Sequence, residues 1–147
     1  MGIIPVISEP ISGAMMTLAG KVTAYSPFCS GLLGMARASE PNSGNSQFFL
    51  MRADYRNLDT KYTAFGRVIS GLDVVRAIKV GEPVAEPRDR MERVRLLADI
   101  PQSERPAVRV IDTRGAWFKA YAAAKAASTP SFNVCDLEVP AEVTAAR

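Results

Sequence analysis

The sequence predicts a mainly β fold with short helices, followed by an α/β tail, over 147 residues. Three observations carry this. Short apolar runs at 31–38, 47–51 and 62–69 have strand length and are separated by turns rich in Pro, Asn, Ser and Gly. Strand-like alternation gives way to helical spacing after residue 70. An alanine-rich stretch at 116–127 has strong helix propensity. With 48% hydrophobic and 22% charged residues, the chain has the composition of a folded unit with one core.

Taken in order, residues 1–27 read as irregular, punctuated by Pro5, Pro10, Gly13, Gly20 and Pro27, with a short strand at 3–7. Residues 31–38 form the next expected strand, and the polar loop 39–46 leads to another at 47–51. There alternation sets Gln47 and Phe49 on one face and Phe48 on the other, in the core. In the strand at 62–69, Thr63, Phe65 and Arg67 alternate with Ala64, Gly66 and Val68, and Phe65 is expected in the same aromatic core as Phe48. A helix opens at Ser70-Gly71-Leu72-Asp73, with Leu72, Val75 and Ile78 inward, and ends at Gly81-Glu82-Pro83. A last strand is expected at 91–98, and 100–106 reads as a boundary. The tail then offers a strand at 108–111, a helix at 116–127 with Trp117, Tyr121 and Ala124 on one stripe, and a strand at 132–139. The division is therefore an irregular segment 1–27, a unit at 28–100 and a C-terminal extension at 101–147 with one helix.

Composition excludes several function classes. The 18 basic and 15 acidic residues are interleaved, as in Arg88, Arg90, Arg93 and Arg95, whereas a nucleic-acid surface needs a one-sided basic face. No nucleic-acid partner is expected. There is no histidine, which removes the commonest general base and metal ligand. Cys29 and Cys135 stand far apart and outside any CxxC pair, so neither a metal nor a redox motif is present. One disulfide is open to them, but two reduced thiols are the favoured state. No window reaches the roughly 20 apolar residues of a membrane span, and no basic start with a long apolar core marks a secretory leader. As written the chain carries no address and is expected in the cytoplasm, or in the periplasm if a leader lies upstream.

The most informative stretch is Gly34-Met35-Ala36-Arg37-Ala38-Ser39-Glu40-Pro41-Asn42-Ser43-Gly44-Asn45-Ser46-Gln47-Phe48-Phe49, followed by Leu58-Asp59-Thr60-Lys61 and Phe65-Gly66-Arg67-Val68. Two strand-like runs joined by turn chemistry offer an apolar groove. This order of residues, from about Phe28 to Ala98, resembles the second half of a cyclophilin, the family of peptidyl-prolyl cis/trans isomerases. The resemblance implies a partial cyclophilin-like antiparallel β-barrel, an isomerase needing no cofactor, and proline-containing peptides or unfolded proteins as partners. It implies that Ala36, Arg37 and Ala38 line the peptide groove, that Gln47 is the groove amide, and that Phe49 and Leu58 wall the proline pocket. Tyr62 stands where many members carry His and closes the pocket with its ring. Asn57 replaces the Trp with which many eukaryotic members bind cyclosporin, so tight drug binding is not expected.

The resemblance also implies what is missing. The family's catalytic arginine lies in an N-terminal Phe-His-Arg-type strand followed by a Phe-Met-x-Gln segment, and nothing in residues 1–27 matches either. Arg37 is not equivalent to that arginine, and Arg52 has no family role. The expectation is a truncated isomerase with no catalytic residue of its own, little or no activity, and open barrel edges that favour self-association. The alternative is a non-catalytic module that binds proline peptides.

Overall fold

A computed structural model describes residues 27–144 together with three strands nearer the N-terminus. The central sheet has four antiparallel strands: β1 (Val6–Ile7), β4 (Leu32–Met35), β5 (Phe48–Leu50) and β6 (Ala64–Val68), in the order β1-β6-β4-β5. A separate hairpin joins β2 (Met16–Leu18) to β3 (Lys21–Ala24). The fold is mostly β with few short helices, as the sequence predicts, and the sheets do not close into a barrel among the described residues.

The expected strands at 31–38, 47–51 and 62–69 are all present in shortened form. Leu32, Leu33 and Ala64 are buried, with Phe28 and Met51 beside them. These residues make the core, and Phe28 is its most enclosed large side chain at 1% exposure. Glycine permits one tight turn here: Gly31, with φ +86, immediately precedes β4, its N–H donating to the Met51 carbonyl and its carbonyl accepting from the Val68 N–H. Arg67 of β6 is half-buried, and desolvation pushes its guanidinium below the ordinary arginine range. Helix α1 (Leu72–Ala77) follows at once and buries Val75 completely. It ends at Ile78, earlier than Gly81, and leaves Ile78 exposed.

Several sequence expectations are corrected. Phe48 is 47% exposed, not in the core. It sits on edge strand β5 of an open sheet, where no described element covers its outer face. Phe65 is only half-buried and packs outside the core cluster, because the buried face of β6 carries the small residues Ala64 and Gly66. No strand forms at 91–98; the segment is irregular and ends in a 3-10 turn at Leu97–Asp99. It carries apolar residues at Met91, Val94, Leu96 and Leu97, but no strand is described beside it to complete a ladder. β1 falls within the strand expected at 3–7, whereas β2 and β3 are strands in a stretch expected to be irregular; the rest of that expectation lies outside the described residues.

In the tail, β7 (Ala107–Val110) pairs with β8 (Ala141–Thr144), and α2 (Ala116–Ser128) lies between them in sequence. The expected strand at 132–139 is instead a 3-10 turn at Val134–Asp136. Asn133 accepts from the Cys135 N–H, and Asp136 accepts from the Asn133 N–H. This reciprocal cap satisfies backbone groups a ladder would otherwise have to use. The buried position of α2 is Phe118; Trp117 is 57% exposed and stacks on Tyr121, its neighbour on the expected stripe.

The cysteines are not reduced. Cys29 and Cys135 form a disulfide with a Cα–Cα distance of 5.2 Å. Sequence separation hid this: the partners that the fold brings together stand 106 positions apart. The bond fastens the C-terminal extension to the loop that enters β4.

Candidate functional site

The site grows from the β4–β5 pairing. Gly34 lies opposite Phe49, and Met35 opposite Phe48. A Cβ on Gly34 would fall 2.2 Å from the Phe49 ring, so only glycine lets that ring lie across the sheet. Phe28 stacks behind Phe49 at 5.8 Å between centroids. Tyr62 meets Phe49 edge-on, also at 5.8 Å and at 86°. Such edge-to-face and offset contacts hold aromatic rings in fixed orientations.

Beyond the end of β4 the chain continues extended. The Met35 N–H donates to Thr63 O at 2.9 Å, Ala36 N–H to Gln47 O at 3.0 Å, and Ala38 N–H to the Ser43 hydroxyl at 2.9 Å. The loop 39–46 is thus tied back onto the strand it leaves. Leu58 closes a 3-10 turn at Arg56–Leu58, and the Lys61 and Tyr62 N–H groups both donate to its carbonyl, which brings Leu58 and Tyr62 to one side. Asp59 supports this turn from behind. Its carboxylate accepts from the Phe28 N–H at 2.8 Å and pairs with Arg56, while the Tyr55 N–H donates to Phe28 O.

Five of the seven sequence-predicted residues, Ala36, Arg37, Phe49, Leu58 and Tyr62, line one hollow of about 250 Å³ that opens to solvent. That is below the size of a pocket for a drug-sized ligand and suits a single compact side chain. Ala38 and Gln47 are exposed and do not line it; Gln47 contributes its backbone carbonyl to hold Ala36. The Arg37 guanidinium lies 4.8 Å from the centre of the Tyr62 ring. Its Nε and Nη2 donate to Lys61 O, and its Nη1 donates to Ala38 O and Ser39 O. Sequence reasoning missed Phe28, Gly34 and Asp59 as supports. Only the strand register reveals that glycine 34 faces an aromatic, so no local signal could have found it.

Elsewhere, the Asp54 carboxylate lies close to the two cysteine sulfurs. With both sulfurs in a disulfide they offer no thiolate, and Asp54 accepts from the Ser30 N–H.

The site is thus an open, largely apolar hollow on an antiparallel sheet, bordered by the extended backbone that follows β4. The family description Cyclophilin type peptidyl-prolyl cis-trans isomerase/CLD matches residues 11–98, and this chain belongs to that family. A probable peptidyl-prolyl cis-trans isomerase of Brucella abortus is 53% identical over 55 residues, covering 37% of this chain and 28% of the relative. Peptidyl-prolyl cis-trans isomerase-like 3 of Rhizopus delemar is 41% identical over 66 residues, covering 45% and 38%. The crystal structure of cyclophilin AquaCyp293 from Hirschia baltica superposes with a TM-score of 0.73 at 34% identity, over 84% of this chain and 45% of that one. The match therefore spans less than half the length of each of these relatives. Among the described residues, no helix is long and apolar enough to cross a membrane.

Proposed function

We propose that this chain carries the proline-holding wall of a cyclophilin-type peptidyl-prolyl cis/trans isomerase that acts on Xaa-Pro bonds in peptides and unfolded proteins. The single observation that carries this is the convergence of Ala36, Phe49, Leu58 and Tyr62 on one hollow beside an extended strand. Rotation about an amide costs about 18–20 kcal/mol because the nitrogen lone pair is shared with the carbonyl. The X-Pro bond populates both isomers, so a catalyst needs neither nucleophile nor metal. It must hold the ring, keep water away and favour the twisted amide over both planar forms. Phe49, Leu58 and Tyr62 would hold the ring. Ala36 and Ala38, with small side chains, would let the substrate backbone approach, and Gln47 would offer its exposed amide to it. Residues 28–100 would carry this groove and 101–147 an appended unit.

A second reading, a proline-peptide binder without turnover, is favoured by the state of Arg37. Its guanidinium is tied to three carbonyls and is not free to swing onto a prolyl nitrogen. Exchange spectroscopy on a short Ala-Xaa-Pro-Ala peptide separates the readings. Both expect binding that weakens at least tenfold in Phe49→Ala and little or no faster exchange with this chain alone; only the first expects faster cis/trans exchange once an arginine-bearing N-terminal half of a family member is joined to it. If a proline peptide and its Pro→Ala counterpart bind equally, both readings fail.

A further inference from the structure

From the rim of the hollow we infer that this groove selects proline peptides with a carboxylate side chain flanking the proline, read by Arg37. The inference rests on the proline-pocket reading above and adds to it a substrate class. Four of the five guanidinium N–H groups of Arg37 are directed at carbonyl oxygens, of Lys61, Ala38 and Ser39. Carbonyl dipoles orient the group but do not cancel its charge. The guanidinium is further steadied over the Tyr62 ring, so a full positive charge is held in place against the pocket wall. The exposed Lys61 stands beside it in the chain contact made by its own carbonyl.

No acid among the described residues answers this charge. Among the described residues, the ion pairs are Arg56–Asp59, Arg88–Glu86, Arg95–Glu104, Arg109–Glu142 and Arg114–Asp112, and neither Arg37 nor Lys61 takes part. Asp59, the acid of the turn that carries Leu58, is committed to Arg56 and to the Phe28 N–H. A cation already fixed in its bound geometry loses little freedom when a ligand arrives, so the attraction reaches affinity almost undiminished. A ligand with a Glu or Asp next to its proline would place that carboxylate at the rim as its ring enters the hollow.

The test uses the full chain and two peptide pairs, Ala-Glu-Pro-Ala against Ala-Gln-Pro-Ala and Ala-Pro-Glu-Ala against Ala-Pro-Gln-Ala, titrated by amide chemical shifts. The readout is the Glu-to-Gln affinity ratio within one protein, which cancels any general damage to the groove. In at least one pair the Glu peptide is expected to bind about threefold to fivefold tighter at low salt, the range of partly exposed ion pairs. The ratio should fall to about one in Arg37→Gln, persist in large part in Arg37→Lys, and collapse in 1 M NaCl, where screening acts over roughly 3 Å. A ratio near one in the unaltered chain for both pairs overturns the inference. So does a ratio that survives Arg37→Gln, or one lost only in Lys61→Gln. If Arg37→Gln does not fold, the salt titration of the unaltered chain decides. Equal binding of Ala-Glu-Ala-Ala would instead overturn the proline-pocket reading, a different failure from an absent carboxylate preference.

Discussion

Gly34 and Phe49 set the geometry of the pocket at the scale of single residues. A methyl at Gly34 would lie 2.2 Å from the Phe49 ring, with paired backbone on both sides of β4 to resist any shift. Gly34→Ala is therefore expected to destabilise by about 1–3 kcal/mol, as overpacking does, and to tilt Phe49 into the hollow. Denaturant unfolding with peptide titration checks both; an unchanged midpoint with unchanged binding would contradict the register drawn here. Phe49→Ala acts oppositely, removing a half-buried ring from between Phe28 and Tyr62. It should cost about 2–4 kcal/mol, below the upper end for a fully buried phenylalanine. A loss under 0.5 kcal/mol would mean that the three rings are not mutually supporting.

At the scale of elements, the Cys29–Cys135 bond and the Asn133 cap hold the C-terminal extension. The bond closes a separation of 106 residues, for which the chain-entropy picture gives about 4–5 kcal/mol. Cys135→Ser, or reduction with a thiol, should lower the unfolding midpoint accordingly; identical melts with and without reductant would refute this. Asn133→Ala should cost about 1 kcal/mol, the usual worth of such a cap, and fray Val134–Asp136. Legibility follows the same scale. β4, β5 and β6 were readable because short apolar runs sit between turns rich in Pro, Asn, Ser and Gly, and α2 because alanine favours helix. Of the Asn-Ser-Gln-Phe-Phe order, Phe49 lines the hollow whereas Gln47 is exposed and does not. The disulfide and the Gly34–Phe49 contact were not readable, because each depends on a distant partner. The segment 91–98 carried a strand pattern, but pattern states only which side chains seek cover, not whether a neighbour provides it.

The whole molecule presents that unmet need at its surface. Met91 and Val94 are 76% exposed, Val80 70%, and Leu96 69%. β1 and β5 are the outer strands of a sheet that does not close among the described residues. Exposed apolar side chains and bare strand edges promote pairing between chains. We expect concentration-dependent self-association by sedimentation, reduced in the double variant Met91→Glu, Val94→Lys; a monomer at millimolar concentration would refute it. The sulfur bridge has a mechanical corollary as well. Cys29 adjoins Phe28, and the Phe28 ring backs Phe49. A tug on the last dozen residues would thus travel through one covalent link to the rear of the hollow, so whatever grasps the tail also has a hand on the cleft.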